Sequence, residues 1–250
     1  MSEETTRLNR SKFVEIGARR AFLILLSITT ALTLIGLGVD LLKHRSPDLF
    51  GITGAAKLLS LNGEANIPSW YSSLLWLIAA ALAWTIAAFR ERVDGRFVAH
   101  WIGFGVACAY LSLDEAAMIH EAAGNLINRV LTDGRFLELG GGWTYAWMYY
   151  GVGLVTVFLI VYRKFLFHLP RGVVFLFIAA GVTYLSGALG VESLSAAAEN
   201  KKISSISSST WDVMIAVEEF LEMLGVVLLI HALLTYMRME RVRTGVEVRD

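Results

Sequence analysis

Residues 211–237 read WDVMIAVEEFLEMLGVVLLIHALLTYM, and this stretch decides how the rest of the chain is understood. It is long enough to cross a bilayer, because about 20 helical residues span the hydrocarbon. Yet Glu218, Glu219 and Glu222 lie well inside its apolar limits. On a helix, Glu218 and Glu222 fall one turn apart on a single face, together with Trp211, Ile215 and Gly225. An ionised carboxylate in hydrocarbon costs several kcal/mol, so such residues face a protein interior and act there. The stretch marks where a site belongs without naming what uses it.

Outward from this stretch, apolar blocks recur. The 250-residue chain is 56% hydrophobic, far above the need of a soluble domain. Blocks of spanning length cover 21–39, 70–89, 97–113, 143–162, 172–191 and 211–237. Their continuous apolarity points to helices, not to the alternation of barrel strands. Helices also satisfy their own backbone groups, which lipid cannot do. The expected fold is all-α: a polytopic bundle of six transmembrane helices over 21–237, between tails at 1–20 and 238–250. The first block is too long for a signal-peptide core and ends without a small-x-small cleavage site, so it reads as an uncleaved span.

Basic residues orient the bundle. The 22 lysines and arginines fall mostly in the two tails and in the second-to-third and fourth-to-fifth connections, near Arg90, Arg92, Arg96, Arg163, Lys164 and Arg171. By the positive-inside rule both termini are cytoplasmic, as in a bacterial inner-membrane protein. The opposite loops are richer in pattern. Residues 46–69 contain an apolar stretch suited to the membrane interface. Residues 115–131 continue the third helix outward as an amphipathic extension, with Ile119, Ala123, Leu126 and Val130 on one face. Trp70, Trp143 and Trp211 each open an even-numbered span. Tyr110-Leu111-Ser112 echoes Tyr184-Leu185-Ser186, a pattern that an interfacial aromatic belt explains as well as a duplication does.

Topology then gathers acids at the outer side. The third span ends in Asp114, Glu115, His120 and Glu121; the fifth in Glu192 and Glu199; the first in Asp40. At 100° per residue, Gly103, Ala107, Tyr110, Asp114 and Glu121 form one stripe, and Gly181, Ala188, Glu192, Ser195 and Glu199 another. Small residues below the acids allow close helix approach. No lysine or arginine lies within the spans to neutralise these groups. Protons, a cation or water must do so. Asp114, His120, Glu121, Glu192, Glu218 and Glu222 are the candidate metal ligands, and mixed carboxylate and imidazole donors favour iron, manganese or zinc. The chain carries neither the Glu-x-x-His pair of di-iron bundles nor HExxH or CxxC.

Other chemistries are narrowed. A formal net charge of zero implies no nucleic-acid surface, and the single cysteine, Cys108, excludes internal disulfides and thiolate clusters. His100 and His231 share the cytoplasmic end, but His231 lies about 180° from Glu222 around its helix, which argues against bis-histidine haem. Three functions fit: a divalent-metal-dependent membrane enzyme acting on a lipid-like or membrane-soluble substrate, a proton- or cation-coupled transporter, and a structural or assembly subunit. Membrane lipids are the expected surroundings in each.

Overall fold

The computed structural model describes residues 17–45, 53–63, 65–119, 122–123, 144–191, 193 and 206–242. Among them every regular element is helical: α1 (Ala18–Arg45), α2 (Thr53–Leu59), α3 (Ile67–Val93), α4 (Val98–Ala117), α5 (Thr144–His168), α6 (Arg171–Leu185), a π-helical segment (Ser186–Val191) and α7 (Ser208–Met239). Among the described residues, four helical stretches are long and apolar enough to cross a membrane: Ala18–His44, Ile67–Val93, Gly151–His168 and Arg171–Val191. The third and sixth expected spans, α4 and α7, are not among these four, so apolar length alone does not reach a count of six.

The surface carries the membrane signature more clearly than the core does. Helix α1 buries Thr29, Thr33 and Asp40 while exposing Leu23, Ile24, Leu34 and Ile35. The same holds for Leu154, Val157, Ile160 and Val161 of α5 and for Phe175, Ile178 and Val182 of α6. Water would not tolerate apolar faces of this extent, whereas lipid does.

Helix α7 is the hub, packing against α1, α3, α6 and the π segment. Its C-terminal half is largely apolar, with Val226, Val227, Ile230 and Leu233 fully buried, as befits a helix enclosed by others. Helices α3 and α4 form a hairpin across the turn at Asp94–Phe97, where Gly95 takes a positive φ of 65°. At this end Arg90 is tied to Tyr236, to Asp94 (3.2 Å) and to Glu240 (3.1 Å), joining α3 to the last turn of α7. Helix α5 docks on α4 through aromatic rings. Phe165 meets Trp101 at 4.7 Å between centroids, and the Tyr162 hydroxyl donates to the His100 carbonyl at 3.0 Å.

The opposite end is fastened by polar groups. Asp40 accepts hydrogen bonds from Ser60 Oγ and from the Leu61 amide (2.9 Å), pinning the α2–α3 connection onto α1. Asn66 caps α3 by accepting from the Ser69 amide at 2.8 Å, and Ser207 caps α7 by accepting from the Thr210 amide at 3.2 Å. Asp40 therefore serves the loop and does not join the other acids.

The amphipathic extension of the third helix is interrupted. Helix α4 stops at Met118, whose left-handed backbone (φ 51°, ψ 44°) still donates to the Asp114 carbonyl at 2.8 Å. A left-handed methionine is uncommon and ends the helical phase. The remainder of the expected extension, 124–131, lies outside the described residues.

Candidate functional site

Helix α4 presents Trp101, Phe104, Gly105, Cys108 and Ser112 inward. This spacing of three and four leads next to Glu115, not to the expected stripe, and Tyr110 of that stripe is 44% exposed. The phase is held by a reciprocal clasp. Ser73 Oγ donates to the Ser112 carbonyl and Ser112 Oγ donates to the Ser73 carbonyl, both at 2.8 Å.

The buried line of α6 is Val173, Phe177 and Ala180, and it continues through Tyr184 to Gly187. Gly181, which headed the expected stripe, has no neighbour within 4 Å of where a Cβ would stand. Beyond Leu185 the helix widens into the π segment, so a phase of 100° per residue no longer carries to Glu192 and Ser195. Such segments are rare and concentrate at functional sites.

Two glycines bring α6 and α7 into backbone contact. A Cβ on Gly225 would lie 2.7 Å from the Tyr184 amide nitrogen, and one on Gly187 would lie 2.8 Å from both the Glu218 carbonyl oxygen and Glu222 Cγ. This crossing sets Tyr184 beside the acidic turn of α7. Its phenol lies within electrostatic reach of Glu222, Glu115, Asp114 and Glu219. On its other side, the Trp76 ring stands edge-on at 5.1 Å.

Tyr184 stands where α3, α6 and α7 meet. Of the six candidate ligands, Glu222 lies at this crossing, its Cγ 2.8 Å from where a Cβ on Gly187 would stand. Asp114 lies in the last turn of α4, and Glu218 is half-buried with its carbonyl against Gly187. His120, Glu121 and Glu192 lie outside the described residues. Among the described residues, no three His, Cys, Asp or Glu side chains converge as a metal-binding group. Sequence reasoning missed Tyr184 and Trp76 as neighbours at this crossing. For Tyr184 the only trace was its echo of Tyr110.

The histidines at the other end face different neighbours. His231 Nδ1 lies 3.2 Å from the Ala18 carbonyl, with its ring against Phe22. His100 packs among Phe97, Tyr162 and Phe165.

These features define a helical protein of membrane character in which Tyr184 stands at the α6–α7 crossing. The chain belongs to the family described as a domain of unknown function, DUF8692, whose profile matches residues 20–237. No curated protein and no solved structure matches it.

Proposed function

We propose that the protein is a six-span inner-membrane protein, with both termini cytoplasmic, whose outward-facing centre around Tyr184 takes up positive charge. The observation that carries this reading is the α6–α7 crossing, where a Cβ on Gly187 would lie 2.8 Å from Glu222 Cγ and one on Gly225 would lie 2.7 Å from the Tyr184 amide nitrogen, so that a carboxylate and a phenol share one helix contact. A carboxylate in a low-dielectric region is held by a proton, a cation or hydrogen-bonding partners.

In the divalent-metal enzyme reading, Glu222 and Asp114 supply ligands and His120, Glu121, Glu192 and Glu218 supply the rest. The substrate is then a lipid-like or membrane-soluble molecule. The π segment beside the centre supports a second reading, a proton- or cation-coupled transporter, because irregular helices line ion pathways in that class. An assembly subunit would need neither cation nor flux.

Metal analysis of protein purified in mild detergent separates these. Iron, manganese or zinc in stoichiometric amount, reduced by Glu222→Gln together with thermal stability, supports the enzyme. Metal-free protein in which Glu222→Gln is neutral or stabilising rules it out and leaves a protonated acid. Proton- or sodium-driven flux in liposomes then supports the transporter.

Orientation is tested independently. The native Cys108 is buried and should be silent towards an impermeant thiol reagent. Cysteine at the exposed positions Asn62 and Ser207 should label in intact cells, and cysteine at Gly95 should not. Ser60 is unsuited to this test, since it is buried against Asp40. Labelling at Gly95 alone would invert the topology and move the centre to the cytoplasmic side.

A further inference from the structure

Where α3 turns into α4 and α5 turns into α6, the bundle ends in a basic surface. Arg92 and Arg96 stand at the first connection and Arg163, Lys164 and Arg171 at the second, all of them exposed. Phe97 ties the two connections together. Its ring centroid lies 5.7 Å from that of Phe165 and 5.0 Å from that of His168, both on α5. The Arg96 guanidinium stands 6.0 Å from the centroid of the same ring.

Acid does little to offset this charge. No aspartate or glutamate occurs in 144–191, so the α5–α6 hairpin supplies none. At the first connection, Asp94 is already held by Arg90 at 3.2 Å and accepts from the Arg96 amide at 3.1 Å. Among the described residues, Arg92, Arg163, Lys164 and Arg171 form no ion pair. Large rings are exposed in the same turns: Phe167, at the end of α5, is 86% exposed and Phe175, in the second turn of α6, is 70% exposed. A soluble anion would leave both rings in water. A lipid covers them with its acyl chains while its phosphate meets the cations, as basic side chains reach up to the headgroups. The headgroup's own charge follows from the missing acids. A zwitterionic lipid brings an ammonium group, and the α5–α6 hairpin has no carboxylate to receive it.

We propose that this end of the bundle is a binding surface for anionic phospholipid, with Arg96, Arg163, Lys164 and Arg171 meeting the phosphodiester and Phe167 and Phe175 lying against the acyl chains. It rests on the membrane reading of the chain, but neither on the Tyr184 crossing nor on which end is cytoplasmic.

Native mass spectrometry of the full-length protein in mild detergent measures lipid binding, with phosphatidylglycerol and phosphatidylcholine of the same acyl chains as probes. The wild type should prefer phosphatidylglycerol by about tenfold or more, since each basic residue beside an anionic headgroup is worth about fivefold in affinity. Arg163→Gln/Lys164→Gln/Arg171→Gln should erase the preference. Lys43→Gln/Lys57→Gln, at exposed positions of the opposite end, should keep it. Should the triple variant fail to fold, Lys164→Gln alone takes its place, with a loss of about fivefold. Equal binding of the two lipids by the wild type, or a preference that survives these substitutions, overturns the proposal. Binding of glycerol 1-phosphate as tightly as the lipid also overturns it, because the surface would then serve a soluble anion. Alkaline carbonate extraction tests the membrane reading separately. A protein that stays in the membrane pellet but shows no lipid preference loses only this proposal, whereas one released to the supernatant loses both.

Discussion

Gly225→Ala should lower the thermal stability of the detergent-solubilised protein more than any other single methyl addition along α6 and α7. The added carbon would lie 2.7 Å from the Cβ and amide nitrogen of Tyr184 and 2.8 Å from its Cα. No real Cβ sits that close, and two of these three neighbours are backbone atoms that no rotamer change can move. The helices must separate. Overpacking of this kind costs about 1–3 kcal/mol, occasionally more, and it outweighs the gain of about 1 kcal/mol in helix propensity when alanine replaces glycine. Gly187→Ala should behave similarly, because one of its clashes is with the Glu218 carbonyl oxygen at 2.8 Å. Gly181→Ala is the control: nothing lies within 4 Å of its Cβ position, so propensity alone acts and stability should hold or rise. If Gly225→Ala melts together with Gly181→Ala, the α6–α7 crossing described here is wrong. So, with it, is the placement of Tyr184 beside Glu222.

His44→Ala should destabilise the fold more than Asp212→Ala, although only His44 is appreciably exposed. The His44 Nε2 lies 2.9 Å from Asp212 Oδ2, and the two side chains are 39% and 4% exposed. Among the described residues, Asp212 Oδ2 makes no hydrogen bond, so the His44 imidazole at ion-pair distance is the group that faces this buried carboxylate. Removing the histidine leaves a buried acid without its partner, which costs about 3 kcal/mol when one member of a buried pair is lost. Removing Asp212 instead returns a half-exposed imidazole to solvent. The double variant should therefore recover most of the stability lost by His44→Ala. Thermal or denaturant unfolding of the two single variants and the double variant measures this cycle directly. Equal losses from both single variants would show that the pair does not latch α1 onto the start of α7.

A residue's depth along the bundle was legible from its sequence, because apolar length and the positions of charges along each helix are properties of one segment. The hydrophobic block at 211–237 was readable as a helix with acids in its N-terminal half, and α7 is indeed the helix the others pack around. The face that each helix turns inward was not legible. In water, apolar side chains mark the buried face, but lipid accepts them as readily as a protein core does, so the contrast that reveals the face is lost. Helix α1 demonstrates this by hiding threonine and aspartate while exposing leucine and isoleucine. The phases of α4 and α6 were accordingly drawn through Gly103 and Gly181, whereas the fold uses Cys108, Ser112, Ala180 and Gly187. Only the tertiary structure decided three further points: the left-handed stop at Met118, the π segment after Leu185, and the backbone contact at Gly187 and Gly225. Each depends on what a neighbouring helix presents at that level, and no single segment encodes that. Tyr184 was ordinary as a residue in a span, and it stands at the α6–α7 crossing because Gly225 lets α7 come close enough to touch its backbone.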